Sequence, residues 1–242
     1  MLRADGLAGA AVLVIGGSSG IGLATARLAR ERGARVCIAA RDGVRLERAR
    51  LALGEGVTAI PVDAADEASV ASLLQRVGPL HHVLSTAGAV VYAPRLAGDL
   101  DALRAAADMR LAAAIHVARQ VAPRLPAGGS ITLMSGTASQ KPHAGGALDS
   151  AACAAIEGLT RALAVELGPV RVNALCPGPI DTPLLAAALG EGRDAYLAQV
   201  AKQLPVGRAG RPDDVAEAAL FLMTCGFVTG VVLPVDGGLR LV

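Results

Sequence analysis

Ile15-Gly16-Gly17-Ser18-Ser19-Gly20-Ile21-Gly22 separates an apolar run at residues 10–15 from a helical stretch at residues 20–32. In that stretch Ile21, Ala24, Leu28 and Ala29 recur at core spacing. Glycines at such a junction let the backbone turn sharply and approach a pyrophosphate, whose charge then sits at the helix N-terminus. A glycine-rich turn alone can be an ordinary strand–helix connection. Its place between a strand and a helix near the start of the chain points instead to a dinucleotide held by Gly16, Ser18, Ser19, Gly20, Ile21 and Gly22.

Outward from this stretch, strand and helix patterns alternate. Strands are expected at 35–40, 57–62, 83–85, 130–135, 171–175 and 231–235. Helices are expected at 46–53, 67–77 with a start at Asp66, 99–125, 151–167, 183–203 and 212–224. This order implies an α/β fold: one doubly wound Rossmann-type domain over residues 1–242, with a parallel sheet of about seven strands and helices on both faces. No stretch is left for a separate substrate domain. The substrate pocket is expected at the carboxyl ends of the strands, under a lid at about 179–205.

The 242 residues suit one such domain, and the net charge of +2 does not argue for nucleic acid. Aromatic residues are 2%, too few for base-stacking platforms. The apolar stretches are broken before they could span a bilayer, and residues 1–9 lack a signal-peptide pattern. A soluble, cytoplasmic protein acting on a small molecule is expected. Cys37, Cys153, Cys176 and Cys225 form no Cys-x-x-Cys pair, so neither a metal site nor a disulfide framework is expected.

Along nearly its whole length the chain resembles the short-chain dehydrogenase/reductases. The spacing of Gly16, Gly20 and Gly22 is similar to that family's Thr-Gly-x-x-x-Gly-x-Gly, with Ile15 in place of the Thr. Ser85-Thr86-Ala87-Gly88 resembles its Asn-Asn-Ala-Gly. Asn173 with Pro177-Gly178-Pro179-Ile180-Asp181-Thr182 resembles its Asn…Pro-Gly-x-x-x-Thr. Gly207-Arg208, Arg211-Pro212-Asp213-Asp214-Val215-Ala216 and Val235-Asp236-Gly237-Gly238 match its C-terminal signature. The resemblance implies cofactor contacts from Ser85, Ala87, Gly88, Pro177, Gly178, Ile180 and Thr182, and an adenine contact from Asp63. It also implies a homodimer or homotetramer built through the helices near 105–125 and 151–167. At the end of the second strand Ala40 stands where an NAD-type acid would be, and Arg41 follows. Its planar fork suits a 2′-phosphate, which places NADP(H) ahead of NAD(H), with Ser18 as a further donor. The competing reading leaves Arg41 solvated, with Asp42 capping the next helix.

The family's Asn-Ser-Tyr-Lys active site is replaced throughout. Alignment on the stretch 156–167 puts Cys153 at the Lys position and Asp149 at the Tyr position. Arg110 takes the Asn position. Gly136 takes the Ser position, or Ser135 if the loop is one residue longer. The tyrosines, Tyr92 and Tyr196, lie elsewhere. Asp149 is either a helix N-terminal acid or, if desolvated, a general acid. Cys153 is either a packed residue or a reactive thiol. His143 and Lys141 lie in the preceding loop, either solvated or reaching the pocket. Arg110 and Asp149 bring opposite charges to one pocket, and a close contact between them is expected. So paired, Asp149 would be a poor acid at neutral pH, and the proton donor would be His143, a water or nothing. An unpaired, shielded Asp149 would serve as the general acid instead. Two functions stay open: an NADP(H)-dependent oxidoreductase with a rebuilt site, its candidate catalytic residues Asp149, Ser135, His143 and Arg110, or a nucleotide-binding sensor or scaffold without chemistry.

Overall fold

The computed structural model describes residues 6–88 and 96–242. Tyr92 and the first five positions lie outside them. Seven parallel strands form one sheet in the order β3-β2-β1-β4-β5-β6-β7. They are β1 (Ala11–Ile15), β2 (Arg35–Ala40), β3 (Thr58–Pro61), β4 (His82–Ser85), β5 (Ser130–Met134), β6 (Arg171–Pro177) and β7 (Val232–Val235). β1 pairs with both β2 and β4, and Ile15 lies level with Ala39 on one side and Ser85 on the other. The strand order reverses here, which opens a crevice beyond the carboxyl ends.

The strands are apolar on both faces because helices cover both. Leu13, Ile15, Val83, Ile131, Leu133 and Val172 face α3 (Glu67–Arg76), α4 (Leu100–Val121) and α5 (Ala147–Glu166). Val12, Val14, Ile38, Leu84 and Leu175 face α1 (Gly20–Glu31), α2 (Gly43–Leu53) and α8 (Pro212–Thr224).

Several boundaries differ from the sequence reading. The helix expected at 183–203 is two, α6 (Pro183–Leu189) and α7 (Arg193–Gln203). They are separated at Gly190, whose φ of 55° a helix interior does not allow. The helix expected to run to residue 125 ends as α4 at Val121, where Pro123 shapes a short 3₁₀ turn. α2 starts earlier than expected, because the Asp42 side chain accepts the Arg45 N–H and caps it. α5 also starts earlier, at Ala147, so Asp149 stands inside its first turn. No helix among the described residues is long and apolar enough to cross a membrane.

At the opposite, amino-terminal edge of the sheet, His81 Nδ1 accepts the Ala11 N–H at 3.0 Å and His82 Nδ1 lies 2.9 Å from Ser130 Oγ. Burial, then the positive Arg171 and His81 nearby, pushes His82 down to about 4. The folded state therefore refuses a proton that the unfolded chain accepts below about 6.5. Stability should be level above that pH and fall as pH drops from 6.5 towards 4, by about 3 kcal/mol at most. Urea unfolding between pH 7 and 4 should show this loss in the native chain and a flatter profile in His82→Gln.

Candidate active site

The nucleotide end is built by glycines that have no alternative. Gly16 has a φ of 86°, and a Cβ there would fall 2.1 Å from Thr86 Oγ1. A Cβ on Gly22 would fall 2.2 Å from the Gly16 carbonyl oxygen, so the helix start is pulled hard against the turn. Ser19 is the N-cap of α1 and makes no capping bond with its side chain, and the first turn carries no acid. The amide donors at this helix start thus face the crevice without a built-in anion, which suits a pyrophosphate. Arg41 is exposed just past β2, with no ion pair among the described residues. Asp63 follows β3 and accepts the Ala65 N–H at 3.0 Å. Ser85 ends β4 level with Ile15, and Ala87 and Gly88 continue along the same crevice.

The last wall comes from the loop after β6. A Cβ on Gly178 would fall 2.9 Å from Asp236 Cα, so this glycine permits the loop to pass close to the end of β7. Ile180 is buried and bridges to Gly210. Thr182 Oγ1 accepts the Leu185 N–H at the start of α6, while its methyl lies 3.4 Å from where a Gly20 Cβ would be. Glycine turn, Arg41 and the Pro177–Thr182 loop therefore share one edge, and their donors fit a nicotinamide dinucleotide.

The replaced catalytic positions meet beside this crevice. Arg110 reaches from α4 and donates through Nη2 to Asp149 Oδ1 at 3.2 Å and through Nη1 to Cys153 Sγ at 2.9 Å. Arg110 and Asp149 are only 8% and 7% exposed, and Cys153 is fully buried. Gly136 completes the group: a Cβ there would fall 3.2 Å from Cys153 Sγ and 3.9 Å from Arg110 Nη1. A Cβ on Gly88 would fall 3.2 Å from Arg110 Cγ and Nε. Two glycines thus make room for the guanidinium. Burial pushes the Asp149 carboxyl above the usual carboxylate range, and Arg110, then His143, pull it part of the way back.

The remaining candidate residues make the following contacts. Burial raises the Cys153 thiol to about 11, against the pull of Arg110, which favours the packed-residue reading. The Ser135 hydroxyl lies beside the Cys153 carbonyl and the Glu157 carboxylate, each at 3.1 Å. It ties the end of β5 to α5. Lys141 donates to the Leu239 carbonyl at 3.0 Å and also to Val242, which takes it away from Asp149. His143 is exposed, and its ring lies over Gly146 at the start of α5. Tyr196 is half-buried on α7, and burial raises its phenol. Glu157, which gathers Ser135 and Ser139, was not singled out by the sequence reading; one acidic residue within a helical stretch carries no signal of what folds against it.

Comparison with known proteins places this geometry. The family described as Enoyl-(Acyl carrier protein) reductase matches residues 15–240. The short-chain dehydrogenase/reductase malC of Malbranchea aurantiaca is 35% identical over 255 residues, covering 98% of this chain and 97% of its own. The solved MalC Reductase/Diels-Alderase from the same organism superposes with a TM-score of 0.91 at 33% identity, covering 99% of both chains. A small-chain dehydrogenase solved in complex with NADPH gives a TM-score of 0.85 at 33% identity, covering 97% of this chain and 100% of its own. With its sheet order, its glycine turn and these whole-length relatives, the chain belongs to the short-chain dehydrogenase/reductase family.

Proposed function

We propose that this protein is an NADP(H)-dependent reductase of a small-molecule imine or similarly receptive acceptor, with Arg110 and Asp149 in place of the family's usual catalytic groups. The observation that carries this is the mutual fit of the replaced positions. Arg110, Asp149 and Cys153 are buried together and hydrogen-bonded, with glycines cleared around the guanidinium. A carboxyl buried this deeply is costly without a charged partner, and Arg110 is placed to be that partner. The relative whose title reads Reductase/Diels-Alderase supports a reductase.

The Gly16–Gly22 turn, Ser18 and Ser19 would hold the pyrophosphate; Arg41 the 2′-phosphate; Asp63 the adenine end; and Ser85, Ala87, Gly88, Pro177, Gly178, Ile180 and Thr182 the nicotinamide half. Bound NADPH supplies a hydride. Although Arg110 contacts Asp149, burial outweighs its pull and makes the Asp149 proton easier to keep, and Asp149 gives that proton to the acceptor nitrogen. Arg110 then stabilises the carboxylate left behind. An iminium needs less activation than a ketone, which fits a site without a Tyr hydroxyl. The segment 179–205 closes over the acceptor.

NADPH oxidation over a panel of imines, enones and ketones tests the reading, with imines expected to lead. Turnover of none of them, with cofactor still bound, would favour the second reading, a nucleotide sensor or scaffold, which the loss of all four usual groups supports.

Two further expectations belong here. Arg41→Ala should bring NADP(H) affinity down about 10- to 100-fold, to that for NAD(H), since one charge-assisted phosphate contact is worth roughly 1.5–3 kcal/mol. Equal affinities for the two cofactors in the native chain, measured by calorimetry, would rule out the preference. Ala151, Ala154, Gly158, Ala162 and Val165 form an exposed stripe along α5, and Gly158 has open space above it. Close helix packing between copies through this face and α4 should give a homodimer or homotetramer. Light scattering at micromolar concentration checks it; a monomeric mass refutes it.

A further inference from the structure

We propose that His143 exchanges protons between solvent and the buried Asp149 carboxyl. Gly146 is the N-cap of α5 and Asp149 stands three residues on, the two positions that face one another in a capping box. Gly146 has no side chain, and the His143 ring fills the place of one. A Cβ on Gly146 would fall 2.5, 2.7 and 2.9 Å from His143 Cε1, Nε2 and Nδ1. The imidazole therefore lies in the side-chain position next to Asp149, while the residue itself is exposed.

The other groups around Asp149 cannot carry a proton. Arg110, from α4, does not give one up in a protein. Cys153, on the next turn of α5, is held protonated at neutral pH, at about 11. Ser150 donates its hydroxyl to the Ala138 carbonyl. Among the described residues facing Asp149, His143 alone carries an imidazole, a ring that can both take up and give a proton. Its Nδ1 lies 3.2 Å from the Ala144 carbonyl oxygen and donates there, which leaves Nε2 as the nitrogen available for proton transfer.

The cycle closes on protons alone, and its use in turnover rests on the reductase reading above. The Asp149 O–H breaks as the acceptor N–H forms. Arg110 holds the carboxylate, His143 Nε2–H passes a proton to it, and the imidazole takes another from water. No electrons move in this branch. His143 is a positioning and relay residue; it touches neither acceptor nor cofactor.

The test follows the Asp149 carboxyl carbon by NMR in the cofactor-free protein, with ¹³C-labelled aspartate and Asp149→Asn for assignment. In the native chain the Asp149 signal should show a second inflection that tracks the His143 ring. His143→Gln should remove that inflection and raise the Asp149 midpoint by roughly half a pH unit or more. Gly146→Ala should do the same with His143 still present, because the methyl displaces the ring. An Asp149 curve unchanged in both variants would overturn the proposal. In turnover, His143→Gln should lower kcat about 10-fold with KM unchanged, and imidazole in the buffer should restore it; unchanged kcat overturns the relay. If no acceptor is reduced while the two titrations remain coupled, the reductase reading falls and the proton exchange stands.

Discussion

Arg110→Ala is expected to destabilise the protein by about 3–5 kcal/mol, because it strands a carboxylate in a site built around its partner. Among the described residues the guanidinium is the ion-pair partner of Asp149, and both groups are about nine-tenths buried. For a chain of this length that cost corresponds to a fall in Tm on the order of 10 °C. The pH dependence has a definite sign. Without Arg110 the folded-state Asp149 moves further above its unfolded value, so the folded state binds the extra proton. Stability of the variant should be lowest at neutral and higher pH and recover as pH falls through the raised range, opposite to the trend expected from His82. Arg110→Ala combined with Asp149→Ala should be less destabilised than Arg110→Ala alone, since no orphaned charge remains. Thermal melts of the three variants between pH 5 and 8 settle the matter. An Arg110→Ala melt that matches the native chain would show that the pair contributes nothing.

Gly22→Ala should abolish cofactor binding, with at least a 100-fold loss of affinity, and lower stability by about 1–3 kcal/mol. The new methyl would lie 2.2 Å from the Gly16 carbonyl oxygen, 2.8 Å from its carbon and 3.2 Å from Gly17 Cα, all backbone. Backbone cannot swing aside as a side chain would, so the turn itself must open, and it is this turn that presents the α1 amides. Gly78→Ala serves as the control, since a Cβ at Gly78 meets nothing within 4 Å. Calorimetry with NADPH separates the two variants: binding lost in the first and kept in the second. Retained affinity in Gly22→Ala would mean that the turn does not cradle the cofactor.

Elements with strong local signals were legible from the chain alone. α8 begins at Pro212 and β2 covers Arg35–Ala40 as read, because a first-turn proline and an unbroken apolar run act over a few residues. The start of α5 was misplaced. Its cap is Gly146, which offers no side-chain signal, and the first turn is shaped by the His143 ring lying on it. The break at Gly190 was hidden for a related reason: Ala- and Leu-rich flanks favour helix on both sides, and only the positive φ separates them.

At the candidate active site the same division appears atom by atom. The glycine spacing and the identity of the replaced residues could be read along the chain, because register against a known pattern depends on order alone. That register also brought Arg110 and Asp149 to one pocket, since helices in a doubly wound sheet have assigned neighbours. The order of residues said nothing of Cys153 accepting from Arg110, of Ser135 being drawn to Glu157, or of Lys141 being held by the C-terminal segment. Those contacts join residues 22 to 98 positions apart and turn on side-chain direction and burial. Both quantities exist only once α4, α5 and β5 pack together, and packing is what decided which of the charged and nucleophilic residues face the pocket.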